Sequence, residues 1–388
     1  MDKHLHIICL TIPFPADYGG VFDLFYKLPA FKKAGIKIHL HCFQYGRVQQ
    51  PELEKYCEEV FYYDRITGSK GFSTRHPYIV SSRKNETLFM RLLQDDYPIL
   101  MEGVHTTALT LDDRFKNRKK FVRIHNVEQH YYRHLFKCAD QPLNKFYYLL
   151  ESKLLKSYEK LLAENAAGFF TVTEKDADFY RDKLAAENVQ HVPVFLPPGE
   201  VVAKPGMGCY CLYHGNLEVE ENEEAALWLL RNVFQKSDIP FIIAGKNPSG
   251  KLRGAAASKN NIKVLSNPSP EQMQNLIQDA QINVLPSVTD TGIKIKLIHA
   301  LFSGRHCLVN QNMVSGSGME ELCHIVEGES AFRERIQQLY DQRFTPEEAD
   351  FRKEFLMRIF DNDANAATML RMIFGDNEVS PVDANEIK

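Results

Sequence analysis

The sequence predicts an α/β protein built from two Rossmann-like domains that face each other across a cleft, and three observations lead there. Short runs rich in Val, Ile and Phe alternate with longer helical stretches, the rhythm of a parallel sheet covered by helices on both faces. That rhythm occurs twice, before and after a proline- and glycine-rich stretch, LPPGEVVAKPGMG at 196–208. Hydrophobic residues make up 44% of the 388 positions, so each half can bury a core of its own.

In the first domain, 1–195, the strand candidates are HIICLTI (6–12), IKIHLHCF (36–43), EVFYYD (59–64), PILMEGV (98–104), KFVRIHN (120–126) and GFFTVT (168–173). After the linker at 196–208 the second domain, 209–345, repeats the pattern with CYCLYHG (209–215), FIIAGK (241–246), IKVLSN (262–267), INVLPS (282–287) and HCLVN (306–310). Helices are expected between them around 223–235, 270–279 and 293–303. A helical segment at 346–375 is a candidate to cross back to the first domain, and the polar tail 376–388 has the composition of a segment without order.

Residues 280–304 carry the strongest functional signal. Ile282 to Leu285 is an apolar run stopped by Pro286, followed by small polar residues of the capping type and by Gly292, where a ligand can approach the backbone. Ile295, Ile298 and Leu301 recur at helical spacing, and Gly304 stands where a left-handed glycine would end the helix. Lys296 and His299 share the opposite face. A helix N-terminus offers free N–H groups and partial positive charge, and Lys294 and Lys296 add two full charges. A diphosphate suits that site.

Ligands of an open α/β sheet bind beyond the carboxyl ends of its strands. The residues there are Tyr18, Gly19 and Gly20 after the first strand, Glu102 and His105 after the fourth, and His125 and Asn126 after the fifth. In the second domain they are Gly215 and Asn216, then Gly245 and Lys246, then Thr291 and Gly292. Thr173, Glu174 and Glu128 are read more simply as residues capping the next helix.

A net charge of −3 gives no electrostatic footprint for nucleic acid. No apolar run reaches the ~20 residues that span a bilayer, and no cleavage-site pattern follows the first residues, so the expectation is a cytoplasmic protein. The eight cysteines lack zinc or disulfide spacing and are read as reduced core residues. The basic stretch Lys116, Arg118, Lys119, Lys120 and a helix bearing Lys153, Lys156 and Lys160 are candidates for peripheral contact with the inner face of a membrane.

The run from FIIAGK at 241 through INVLPSVTDTGIKIKLIHALFSG to HCLVN at 310 resembles the donor-binding half of family 4 glycosyltransferases of GT-B fold (glycosyl transferases group 1). YHGNLEVEENEEAALWLL is similar to the same branch's glycine turn with its Asn and Trp, here Gly215, Asn222 and Trp228. In the first half, PFPADYGG and RIHNVEQHYYRHL resemble the family's glycine loop and histidine strand. The resemblance implies a glycosyltransferase that moves a sugar from a nucleotide diphosphate sugar to a hydroxyl of a glycan or lipid-linked acceptor, with retention of configuration, no metal and no further cofactor. It implies donor contacts from Gly215, Asn216, Gly245, Lys246, Thr291, Gly292, Lys294, Lys296 and His299. His125 matches the histidine beside the transferred sugar, with Asn126 next to it. Tyr18, Gly19, Gly20, Glu102 and His105 fall on the acceptor side. Two departures accompany it. Thr291 and His299 stand where many members have glutamates, and Asn216, Glu220 and Glu221 follow the glycine turn where many have Arg and Lys. A catalytically silent family member acting as a binding or scaffold module is the alternative they raise. A dinucleotide-dependent oxidoreductase lacks its G-x-G-x-x-G after the first strand.

Overall fold

The computed structural model describes residues 2–16, 19–139, 141–290, 292 and 294–375. The polar tail, Thr291 and Tyr18 lie outside the described residues. Two compact units emerge, Met1–Pro197 with Phe360–Lys388, and Pro198–Ile359.

Unit 1 contains β1 (Lys3–Cys9), α1 (Gly19–Lys33), β2 (Ile36–Gln44), β3 (Glu59–Asp64), α2 (Tyr78–Ser81), α3 (Glu86–Leu92), β4 (Ile99–Glu102), β5 (Lys120–Ile124), α4 (Glu128–Cys138), α5 (Pro142–Asn165), β6 (Gly168–Thr171), α6 (Glu174–Asp178) and β7 (Val189–His191). The strands form one parallel sheet in the order β3-β2-β1-β4-β5-β6-β7. Its order reverses between β1 and β4, the switch point where such sheets take ligands. Val21, Leu24, Leu28 and Phe31 of α1 enter the core on one face, and Phe89, Leu155, Tyr158 and Leu162 of α3 and α5 enter the core on the other.

Alternating histidines in β1 and β2 form a ladder across the sheet. His6 and His41 are hydrogen-bonded at 2.9 Å, His41 reaches the Tyr63 hydroxyl at 2.9 Å, and His6 meets Asp95 at 3.0 Å. Burial holds His6 down to about 4 and His41 well below the ordinary histidine value.

Unit 2 contains β8 (Cys211–Asn216), α7 (Glu220–Trp228), β9 (Phe241–Lys246), α8 (Gly250–Ala256), β10 (Ile262–Ser266), α9 (Pro270–Asp279), β11 (Ile282–Leu285), α10 (Ile295–Ser303), β12 (His306–Val309), α11 (Gln311–Val314), β13 (His324–Ile325), α12 (Gly328–Tyr340) and α13 (Pro346–Ile359). Its parallel sheet has the order β10-β9-β8-β11-β12-β13. The helical segment 346–375 is divided. α13 stays in unit 2, where Arg352 donates to the Gly304 carbonyl at 2.6 Å and so closes the end of α10. α14 (Asn362–Phe374) belongs to unit 1 and buries Ala366, Met369, Leu370 and Ile373 in the α1-side core.

Three sequence readings change. Gly304 caps α10 in extended, not left-handed, conformation, and a Cβ there would stand 2.2 Å from the Asn283 amide nitrogen; close approach, not turn geometry, requires the glycine. Cys138 and Cys209 are exposed rather than in the core. In the basic stretch, Lys120 is buried with its ammonium on the Phe115 carbonyl, and Arg118 is held by Asp95. Neither presents charge to a membrane.

Candidate active site

The donor side is built in unit 2. β8 and β9 run together to their ends, Gly215 beside Gly245 and Asn216 beside Lys246. A Cβ on Gly245 would lie 2.0 Å from the Gly215 carbonyl oxygen, so only glycine closes the strands there. Beyond this edge α7 places Glu220, Glu221 and Glu223 in its first turn, where the helix dipole favours carboxylates. Its Asn222 donates to the Asn216 carbonyl at 2.9 Å and accepts from Lys296 Nζ at 2.8 Å.

Lys296 lies in the first turn of α10. Its ammonium also donates to the Tyr213 hydroxyl at 3.2 Å and stands 5.0 Å from the centre of that ring. Burial pushes Lys296 down to about 7; neighbouring Lys294 acts in the same direction and Glu221 opposes. Gly292 has φ +62°, the left-handed region that favours glycine. Lys294 is the N-cap of α10 without a side-chain cap, and it donates to Thr289 Oγ1 at 2.9 Å. The helix thus starts later than the spacing predicts, and no small polar residue caps it. Leu297 N–H turns back to the Lys294 carbonyl at 2.9 Å, while the N–H groups of Ile295 and Lys296 precede any intrahelical acceptor, so backbone donors and two lysines share this corner.

His214 is buried with Nε2 lacking a partner, and burial, with His299 and Lys296 nearby, pushes it down to about 3. His299 is exposed on α10, one turn from Lys296, with its pKa lowered by lost solvation. Lys246 is exposed and paired with Glu218 at 3.0 Å; such a surface pair is worth little and opens readily.

In unit 1, His125 ends β5 on a closed network of charges. Arg123 Nε and Nη2 grip the Asp23 carboxylate at 2.9 and 2.8 Å. Lys27, four residues along α1, bonds Asp23 at 3.2 Å and Glu102 at 2.5 Å. His125 Nε2 meets Glu102 Oε2 at 3.0 Å and lies 3.7 Å from Asp23 Oδ2. Burial alone would raise both carboxyls, but Arg123 and Lys27 hold Asp23 well below its usual range, and Lys27 with His125 lowers Glu102. The imidazole is therefore aligned by a fixed carboxylate while its edge remains 17% exposed.

Asp23, Glu102 and His125 offer ligand atoms within 4.8 Å of one another. Lys27 and Arg123 already supply the positive charge that a cation would bring. Glu102, expected on the acceptor surface, is 0% exposed and serves instead to hold His125. His105 has a buried Nδ1 without a partner, and Asn126 hydrogen-bonds the buried Glu128 carboxyl. Gly19 and Gly20 open α1.

Sequence reasoning singled out His125 and Glu102 but missed Asp23 and Lys27. Their signal was present: two opposite charges four apart within the largely apolar stretch GGVFDLFYKLPAF.

Residues 208–342 match the family model described as glycosyl transferases group 1. That region is similar to group 1 glycosyl transferases, and the chain as a whole has the GT-B fold. The chain resembles a Klebsiella pneumoniae protein described as an uncharacterized 44.6 kDa protein in the cps region, 23% identical over 312 residues, which cover 76% of this chain and 79% of that one. Its fold is shared with TarM, known from S. aureus, at TM-score 0.69 and 12% identity, covering 96% and 99% of the two chains. A glycosyltransferase from Rickettsia africae gives 0.66 at 13% identity, with 98% and 100% covered. Anabaena HepE, solved in complex with UDP and glucose, gives 0.64 at 11% identity, with 95% and 99% covered.

Proposed function

We propose that the transferase moves a glycosyl unit from a nucleotide diphosphate sugar to a hydroxyl of a glycan or lipid-linked acceptor in polysaccharide synthesis, with retention of configuration and without a metal. The observation that carries the donor reading is the corner where Lys294, Lys296, Gly292 and the start of α10 meet. There the leaving diphosphate gains charge as the glycosidic bond breaks, and preorganised N–H and ammonium donors stabilise that charge where it develops. Lysines and a helix terminus can do this without a divalent ion. His125, held by Glu102, is the residue that would meet the transferred sugar.

Polysaccharide synthesis is supported by the relative in a cps region. Retention rests on the family resemblance. The hairpin of α4 and α5 supports peripheral contact with an anionic membrane at the cytoplasmic face: Leu143 and Phe146 are 84% and 70% exposed, and Lys153, Lys156 and Lys160 are exposed along α5. Apolar tips beside lysines suit such a surface. Co-sedimentation with phosphatidylserine vesicles, lost in Phe146→Ser, checks this contact.

A thermal-shift screen of nucleoside diphosphates and nucleotide sugars tests the main reading and names the base. A donor that stabilises the chain and is turned over at an unchanged rate in EDTA, with the anomer read by NMR, is the expected result. No stabilisation by any of them would remove the donor reading, and loss of rate in EDTA would remove metal independence.

A further inference from the structure

Two arginines in unit 1 lie beyond the carboxyl ends of the sheet and take no part in the His125 network. Arg65 directly follows β3, and Arg83 follows α2. Arg83 is 5% exposed. Its Nε donates to the Leu10 carbonyl at 3.2 Å and its Nη1 to the Ile79 carbonyl at 2.8 Å. Arg65 donates to the Ser82 hydroxyl at 3.1 Å, and its guanidinium lies 4.6 Å from the centre of the Tyr45 ring and 5.3 Å from that of Tyr78. Among the described residues neither arginine has a carboxylate within ion-pair distance.

The nearby carboxyl does not compensate them. Glu128 is raised to about 8 by burial and by Glu159, so it is mostly neutral at pH 7. Arg83 in turn is held down to about 9 by burial and by Arg65. Two cations so placed, with one of them sealed from water and no counter-charge, are costly unless an anion completes the site. An unfilled ring nitrogen adjoins them: His105 Nδ1 is buried without a partner, and both arginines act electrostatically on that ring. The His105 ring packs beside Gly103 and Leu10, the residue whose carbonyl Arg83 holds. Gly103 has φ +75°, which swings the chain beyond β4 toward this corner. Tyr45, 58% exposed, adds a flat aromatic wall of the kind that sugars and guanidinium planes both stack against.

We propose that Arg65 and Arg83 form an anion subsite on the acceptor side, so that the acceptor carries a phosphate or carboxylate group near its reacting hydroxyl. The inference rests on the glycosyltransferase reading and narrows it, since a neutral glycan would leave both guanidiniums without a partner. A planar, fixed guanidinium suits either oxyanion through two parallel N–H bonds. The acidic group then sets the register of the acceptor along the strand ends, with His105 within electrostatic reach of both arginines and of His125.

Calorimetry on the full chain tests this with three probes: glycerol 1-phosphate, glucuronic acid and glucose. Lys296→Ala serves as background, so that phosphate held at the donor corner is removed from the signal. Either anionic probe should bind that background and lose at least tenfold in affinity on adding Arg83→Met, while glucose should not compete. Preference between phosphate and uronic acid tells which acidic group the acceptor carries. Because Arg83 holds two backbone carbonyls, Arg65→Gln is the companion variant; it faces solvent more and should produce the same loss in a chain with an unchanged circular dichroism spectrum. Anion binding abolished by Lys296→Ala alone, or untouched by both arginine changes, would overturn the subsite. Nucleotide-sugar binding separates the two ideas: it should persist in Arg65→Gln, and its absence from every variant and from the wild type would count against the transferase reading instead.

Discussion

Lys296 is an ammonium that its surroundings half discharge. With its pKa at about 7 in the free protein, the neutral form gains as pH rises above that value, whereas a bound diphosphate favours the charged form. Binding a nucleotide sugar should then take up a proton, and affinity should fall between pH 7 and pH 9. Lys296→Ala should weaken binding by about tenfold to a hundredfold, the worth of one charge-assisted bond in a partly buried site, and should flatten that pH response. Calorimetry in two buffers of different ionisation enthalpy reads both effects. His125 calls for a different measurement, because the contact proposed for it is with the reacting sugar and not with the diphosphate. His125→Ala should lower the turnover rate by a factor of about a hundred with the donor dissociation constant little changed; an equal loss in donor binding would move His125 out of the reaction. Both residues were legible in the sequence because each directly follows or opens an element at a strand's carboxyl end. Asp23 and Lys27 were not, because their role depends on Glu102 and Arg123 arriving from strands far away in sequence.

At the scale of elements, α1 is fastened to β4 and β5 by buried ions. Lys27→Met keeps the length of the side chain but leaves Asp23 and Glu102 short of a cation, and should cost about 3 to 5 kcal/mol of stability, read as a lowered midpoint in urea. The helices also set how stability depends on pH. Glu128 is raised to about 8 and Glu159 to about 7, both first by burial; a carboxyl raised on folding stabilises fully below its unfolded value and loses that stability as pH rises through the folded one. The histidine ladder acts at the other end. His6, held at about 4 by burial, contributes above about 6.5 and loses its contribution as pH falls toward 4. Stability should thus decline from pH 6.5 to about 7, above which Lys296, lowered to about 7, gives an opposing slope, and Glu128→Gln should make that decline shallower in thermal melts. The long apolar strands were readable from their composition. β7 (Val189–His191) and β13 (His324–Ile325) were not, since each is short and half-polar and exists because a neighbouring strand offers it a free edge.

For the whole molecule, the decisive arrangement is that the chain leaves unit 1 near Pro197 and returns to it near Phe360. A chain ending at Ile359 would lack α14, whose Ala366, Met369, Leu370 and Ile373 fill the core against α1. Burial of such side chains is worth about 1.5 to 3 kcal/mol each for the larger three, comparable in sum to the whole stability of a domain. The truncated chain should yield the fragment 198–359 on limited proteolysis while residues 2–197 are degraded; resistance of both parts would show that α14 is dispensable. The two-sheet plan was visible in sequence as a repeated strand–helix rhythm, but the division of 346–375 was not, because α13 and α14 have similar composition and only their partners differ.

That same return of the chain fixes an order of events on the ribosome. The first half of the protein is made first, yet its sheet lacks one covering helix until residues 362–374 have emerged. The second unit, continuous in sequence, has everything it needs once its own last helix has cleared the exit tunnel. The part synthesised second is therefore the part able to finish first, and throughout that interval the nascent first sheet presents an apolar flank that exposed hydrophobic surface on other chains can meet.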